Sequence, residues 1–433
     1  MSGQELDRLL GPVLVADGSE NTSEAGSALA EDRFARAALG TAIEPGDLEA
    51  GRLVSALGPV RLLHAIVDGV DAAGLLAEVR SRDQGDEGLA RLPSSWEEQS
   101  SNDRDTAAAL ERRVATALAR WRPRLSFAES ARSIERAARI GARLLTPDSR
   151  WWPAGFAGLD DGPPLALWIR GHARHFGRLG RSLALVGARA STEYGEHVAM
   201  ESAAGLSDRG FVIVSGGAYG IDAAAHRATL ASGGVTIAFL AGGADRLYPA
   251  GNTELLRRIA SEGVVVAELP PGSAPTRWRF LMRNRLIAAA ATATVVVEAG
   301  HRSGSLNTAG HAAHMGRPLG AVPGSVLSPA SAGCHRLIRE YAATCVTTPD
   351  EMAELADPFG SGNPPPDPAT PFALVREGGD GDERAVLSAL SRVRSESADE
   401  IAARVALPFT RVAAVLGRLD LADRARESAE GGP

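Results

Sequence analysis

The chain has 433 residues, enough for two or three domains and a sizeable core, and its net charge of −7 at pH 7 excludes a molecule-wide basic field. Any anion-binding surface must therefore be local and built from arginine, because all 46 basic residues are Arg and lysine is absent. Two cysteines, Cys334 and Cys345, are too few for a disulfide scaffold or a zinc cluster, no apolar run approaches membrane-span length, and the N-terminus lacks a basic-then-apolar signal pattern. A soluble, reducing, cytoplasmic setting without a membrane partner is expected.

Residues 1–32 are acidic and rich in small side chains, and are expected to form a disordered tail apart from an apolar patch near Leu9 to Val15. From Arg33 the apolar positions fall at helix spacing: Phe34, Ala37 and Ala38, then Leu53, Val54 and Leu57, then Leu62, Leu63 and Ile66. This predicts a helical module over residues 33–142, interrupted by a polar insertion over 80–105. A helix-rich stretch with Trp121 and closely spaced arginines completes it; a solvated charged face accounts for those arginines.

At Arg181 the period changes. Six apolar strand candidates alternate with helical segments: Leu183–Val186, Phe211–Val214, Val235–Leu240, Val264–Leu269, Thr294–Val297 and Leu319–Val322. One helix between successive strands is the pattern of a parallel sheet covered on both faces, which predicts an α/β core over 143–355. Such sheets bind ligands beyond the carboxyl ends of their strands. The glycine-rich and arginine-bearing turns all fall at those ends. Residues 356–382 read as a Pro/Gly-rich linker, and 383–433 as a helix-turn-helix or winged-helix-like module. Its third helix offers only Arg411 and Arg418 as cations, so a protein-contact role is at least as good a reading as groove binding.

The sequence FVIVSGGAYGID, from Phe211 to Asp222, is a buried strand, a glycine turn and a helix start. That arrangement aims free N–H groups at one spot and favours an anion there, with Ser215, Gly216, Gly217 and Gly220 as its parts. Asp222 reads equally as a carboxylate capping the helix from its first turn.

Several chemistries fail on the pattern. Ser215 is not in a G-x-S-x-G elbow. His311 and His314 lack the Glu of H-E-x-x-H, so no metal is expected. Cys334 and His335 are adjacent in sequence and rarely face each other. The first turn reads G-A-R-A-S-T where a dinucleotide would need G-x-G-x-x-G, so no cofactor is expected. What remains is arginine with hydroxyl and amide donors. Arg189, Ser191 and Thr192 follow the first strand; Arg277, Arg279, Arg283, Asn284 and Arg285 crowd one helix; Ser303, Gly304 and Ser305 precede another. Several phosphate sites along one edge suit a polyanion. The bland alternative for the Arg277–Arg285 group is a surface helix with intrahelical pairing. Tyr194, Tyr219, Tyr248 and Trp278 are candidates for stacking on bases, with core packing the safer expectation for at least two of them.

Six ordered stretches, LALVGARASTEYG, VIVSGGAYGIDAAAH, LAGGADRLYPAGN, FLMRNRLIAA, VVVEAGHRSGSLNTAGHAAHMGRPLGAVPG and GCHRLI, together resemble the DprA/Smf family of DNA-processing proteins over about Pro153 to Asp350. The resemblance implies a Rossmann-like core used without a nucleotide cofactor, and no enzyme. It implies single-stranded DNA as partner, protected during natural transformation, with displacement of single-strand-binding protein, loading of a RecA-type recombinase, and self-association as dimers. The family's phosphate-gripping arginine falls on Arg189, its glycine loop on Ser215 to Asp222, and its R-N-R motif on Arg283 to Arg285. The family's usual G-C-N reads Gly333-Cys334-His335 here, so an imidazole stands where an amide is expected. The tail lacks an obvious β-wing. The alternative function is a nucleotide hydrolase of the Rossmann-fold lysine-decarboxylase/LOG type, whose P-G-G-x-G-T-x-x-E signature has no counterpart glutamate here.

Overall fold

The computed structural model describes residues 3–15, 24–83, 103–160 and 162–357, and the isolated positions 401, 404, 405 and 412. Its N-terminal part is helical: α1 (Gly3–Leu10), α2 (Glu24–Ala42), α3 (Leu48–Leu57), α4 (Pro59–Val67), α5 (Ala72–Asp83), α6 (Asp103–Trp121) and α7 (Phe127–Arg139). Leu10, Val13, Leu39, Leu53, Leu62, Leu75 and Trp121 share one apolar cluster. The expected disordered tail is instead helical over residues 3–8 and 24–32, whereas the apolar patch set apart from it, Leu9 to Val15, is ordered. Leu6, Leu10 and Val13 are buried against the module, and that apolar contact outweighs the polar composition around them. The cluster continues into Trp168 and Ala267, so these helices pack directly on one end of the sheet. Most of the expected polar insertion lies outside the described residues.

The core has nine strands: β1 (Arg143–Leu145), β2 (Leu167–Gly171), β3 (Ser182–Gly187), β4 (Val212–Ser215), β5 (Thr236–Leu240), β6 (Val264–Ala267), β7 (Ala293–Glu298), β8 (Leu319–Ala321) and β9 (Thr344–Cys345). Their spatial order is β1-β2-β6-β5-β4-β3-β7-β8-β9. From β6 to β9 every pair is parallel, whereas β1 and β2 add an antiparallel end. All six expected strands are present, with ends shifted by a few residues. β1, β2 and β9 are additions, each too short or too interrupted to carry a period.

The helices of this part are α8 (Glu193–Asp208), α9 (Ile221–Ala231), α10 (Thr253–Glu262), α11 (Arg277–Ala290), α12 (Ser305–His314), α13 (Ala332–Glu340) and α14 (Pro349–Ala356). Alternation along the strands sorts them to two faces. Leu183 and Leu185 point to α8, α9 and α14, while Ala184 and Val186 point to α11, α12 and α13. The chain leaves β3 toward β4 on one side, and β7 pairs on the other. Between β3 and β7 the loops diverge, and this switch point opens a crevice at the carboxyl ends.

Among the described residues no single helix is long and apolar enough to cross a membrane. The expected linker beyond 357 and the helices of the C-terminal module lie outside the described residues, except that positions 401, 404, 405 and 412 are helical and Ile401 and Val412 are buried.

One core group makes stability depend on pH. His226 on α9 is fully buried, and burial, with Arg283 and Arg227 adding to it, pushes its pKa down to about 3. Its Nδ1 lies 2.6 Å from Thr236 Oγ1; that hydroxyl already donates to Ile213 O at 2.8 Å, so the imidazole N–H is the donor. Nε2 has no partner. Because the folded pKa is lowered, the unfolded chain binds the extra proton, so stability is full above about pH 6.5 and falls as pH drops toward 3, by about 1.4 kcal/mol per unit. His226→Asn keeps an amide donor toward Thr236 and removes the titration. Urea unfolding between neutral and mildly acid pH is expected to show a shallower acid loss for the variant; equal slopes would remove His226 from the account.

Candidate nucleic-acid interface

The glycine loop after β4 is built from inside. Asp222, in the first turn of α9, accepts from Gly216 N at 3.2 Å and from Ala218 N at 3.3 Å. Arg283 of α11 donates to the carbonyl oxygen of the same residue, Gly216, at 2.6 Å, and to Phe239 O. Asn252 Nδ2 takes the carbonyls of Gly217 and Ala218 at 3.0 Å each. Burial pushes the Asp222 carboxyl up and the Arg283 guanidinium down to about 10; each opposes the other's shift. Gly216 has no room for a side chain, since a Cβ would overlap the Arg283 guanidinium. Gly220 is needed for another reason, a φ of 73° at the helix start.

This arrangement corrects the expected phosphate cradle. The loop donors Gly216 N–H and Ala218 N–H are taken by the chain's own Asp222 carboxylate, and Ile221 N–H at the start of α9 donates to Ala188 O at 3.2 Å, so none of these three is offered to an anion. Ser215 is fully buried and donates to Leu185 O at 2.6 Å. Gly216 and Gly217 are buried with it, and Gly220 packs on the Ala188 carbonyl.

The start of α8 is filled in the same way. Glu298, buried at the end of β7, accepts from Thr192 N at 2.8 Å and Thr192 Oγ1 at 2.6 Å, while Ser191 Oγ donates to Glu196 at 2.8 Å. Ser191 and Thr192 are therefore helix-start residues rather than phosphate donors.

The arginines of α11 divide. Arg283 and Arg285 are both buried. Arg285 Nη2 pairs with Glu268 at 2.6 Å, and burial raises the Glu268 carboxyl despite that cation. Arg279 forks onto Glu44 of the N-terminal module, with two contacts of 2.9 Å, and holds the Glu44 carboxyl below its usual range. These three were expected on the rim; each instead holds the fold together. Asn284 Nδ2 donates to Gly304 O at 3.3 Å and Asn307 Oδ1 at 3.1 Å, fastening the turn before α12. His335 lies away from the crevice, and its Nε2 donates to Gly324 O at 3.0 Å, so that N–H is not available to an anion.

What stays open is the crevice at the β3/β7 switch point, about 810 Å³ in volume. Three exposed arginines line it: Arg189 after β3, Arg277 in the first turn of α11, and Arg302 before α12. Among the described residues none of them forms an ion pair with a carboxylate. Arg189 lies over the Phe280 ring at 4.8 Å, which fixes its guanidinium at the mouth. Ser303, Gly304 and Ser305 are also in the wall, with the two hydroxyls 2.7 Å apart. Of the expected residues, Arg189, Arg277, Ser303 and Gly304 come together on accessible surface, with the buried Ser305 and Asn284 in the wall behind them. Arg302 was missed, although it directly precedes a turn singled out for its hydroxyls. The expected core packing of aromatics also fails: Tyr194, Tyr219, Tyr248 and Trp278 are 47–56% exposed.

Comparison with known proteins places this geometry. The family described as DNA recombination-mediator protein A matches residues 143–357, and the DprA winged helix domain matches residues 363–431. The putative DNA processing protein DprA of Mycobacterium tuberculosis is 47% identical over 309 residues, 67% of this chain and 78% of that protein. The DNA processing protein DprA of Bacillus subtilis is 35% identical over 217 residues, 50% of this chain and 72% of that one. The X-ray structure of DNA processing protein A from Streptococcus pneumoniae aligns with a TM-score of 0.50 at 33% identity, covering 58% of this chain and 85% of that chain. The α/β core with a C-terminal winged helix domain is therefore shared architecture. Identity at this level over two thirds of the chain, with both domain matches in the same order, makes this protein a member of the DprA/Smf family of DNA-processing proteins.

Proposed function

We propose that the chain binds single-stranded DNA in the switch-point crevice and acts as a recombination mediator, without catalysing a reaction of its own. The observation that carries this reading is the set of three exposed, unpaired arginines on an otherwise acidic chain. Guanidinium groups spaced along an open crevice suit successive phosphates, and contacts of that kind are indifferent to base sequence. Loading of a RecA-type recombinase, displacement of single-strand-binding protein and homodimer formation are proposed from the family resemblance.

The hydrolase alternative is not favoured. Asp222 is the one carboxylate among the described residues lining the crevice, and both of its hydrogen bonds from the loop hold it as a structural group. No general base is left to activate water.

The reading divides the arginines into two kinds with different readouts. Arg189→Ala or Arg302→Ala removes a charge-assisted contact worth about 1.5–3 kcal/mol, so affinity for single strands is expected to fall about ten- to a hundredfold, equally for different base sequences. The slope of log K against log salt should shrink by about 0.7 for each lost phosphate contact. Anisotropy titrations over a salt series measure both; a folded variant with unchanged affinity and slope would take the strand out of this crevice. Arg285→Ala leaves Glu268 buried without its partner, so it is expected to lower unfolding free energy by about 3–5 kcal/mol in urea titrations. Wild-type stability in that variant would refute the structural role given to the pair.

A further inference from the structure

The four exposed aromatics are not equivalent. Tyr194 donates its hydroxyl to Pro323 O at 2.6 Å, and Tyr219 accepts from Gly251 N at 3.1 Å, so both rings are held as structural props. Trp278 faces a separate cleft whose two arginines, Arg120 and Arg124, are already paired with Asp47 and Glu44, and which also holds Glu49, a less favourable place for phosphate. Tyr248 alone of the four lines the arginine crevice. Half of it is exposed, and its hydroxyl has no partner among the described residues.

Its ring is also fixed in place. Tyr248 leans on Phe280 with centroids 5.7 Å apart and planes at 57°, and Arg189 lies over the same Phe280 at 4.8 Å. Phe280 is thereby contacted by both, while Tyr248 stays half exposed in the crevice that Arg189 also lines. An aromatic face and an unpaired cation set on one ring match a nucleotide whose base and phosphate are both free to bind. A paired base has its faces filled by neighbours in the stack; an unpaired one does not.

We infer that Tyr248 is a base-stacking residue: its ring takes the face of one unpaired nucleobase whose phosphate lies on Arg189. The inference rests on the proposed single-strand binding and adds the source of discrimination against duplex. Phosphate contacts alone would hold either form.

The test uses the full chain as wild type, Tyr248→Phe and Tyr248→Ala. The probes are a labelled thymidine oligonucleotide and an abasic strand of the same length. Tyr248→Ala is expected to weaken binding to the thymidine strand about five- to a hundredfold, with Tyr248→Phe near wild type. The salt slope should not change, because no phosphate contact is lost. On the abasic strand, wild type and Tyr248→Ala should bind alike. Equal weakening on both strands, or none on either, overturns the inference while leaving single-strand binding intact. No saturable binding by wild type overturns the functional reading and this inference together. Should Tyr248→Ala fail to fold, the wild type still decides: a strand carrying the fluorescent base aminopurine must be quenched on binding, and unchanged emission overturns the inference.

Discussion

One residue, Gly216, is gripped at both of its backbone polar groups, which belong to two successive peptides. Asp222 holds its N–H from the start of α9, and Arg283 holds the adjoining carbonyl from α11. Through Phe239 O the same guanidinium also reaches the end of β5. Three elements from separate parts of the chain are thus tied to a single loop, in a buried place where an unpartnered charge would be costly. The crevice depends on that tie. α11 supplies Arg277 to its wall and the Phe280 ring under Arg189, so the position of α11 sets the distance between the two cations. The N-terminal module secures the same helix from outside, where Glu44 holds Arg279.

The sheet was legible because burial on both faces leaves an unbroken apolar run, and a run of that kind needs no partner information to be recognised. Val264–Ala267 and Ala293–Glu298 stand out for that reason. The facing of charged side chains was not legible. Arg283 and Arg285 lie about 200° apart around a helix, so an amphipathic reading would expose at least one of them. Both are buried because α11 from Arg283 onward is enclosed on every side, against the sheet and against Glu268. Composition reveals charge but not the matching carboxylate, which for Arg279 lies 235 residues away at Glu44. The error ran the other way for the tyrosines, whose apolar character suggested core: Tyr219 and Tyr248 lie on loops and Tyr194 in the first turn of α8, and all three are exposed. Leu6 shows a third kind of miss: an apolar residue in a polar segment is buried once a complementary face exists elsewhere, beside Leu10 and Val13 of the patch that composition did single out.

Electrostatics at the sheet edge follows a consistent rule. At the two helix starts that point toward it the donors are used internally: Gly195 N–H of α8 bonds Thr192 Oγ1, which Glu298 holds in turn, and Ile221 N–H of α9 bonds the Ala188 carbonyl, while Asp222 takes the loop amides before it. The backbone therefore offers little to a phosphate there, and anion affinity passes to side chains. With lysine absent, those side chains are all planar forks. The same group that suits a phosphate outside also suits two carbonyls inside, as Arg283 does, which is how one residue type comes to serve both the floor of the crevice and its rim.

The two borders of the sheet have a consequence for how copies of this chain can meet. At one end β1 is flanked by an isolated bridge from Leu14 to Leu144, and Arg143 adds a contact to the Leu14 carbonyl. At the other, β9 is only two residues long. Among the described residues neither border presents a long run of unpaired backbone able to template a further strand. The ladder is closed to polymerisation by strand addition, so an assembly of these chains would have to be specified by side chains, where a single substitution can tune or abolish it without touching the hydrogen-bonded frame.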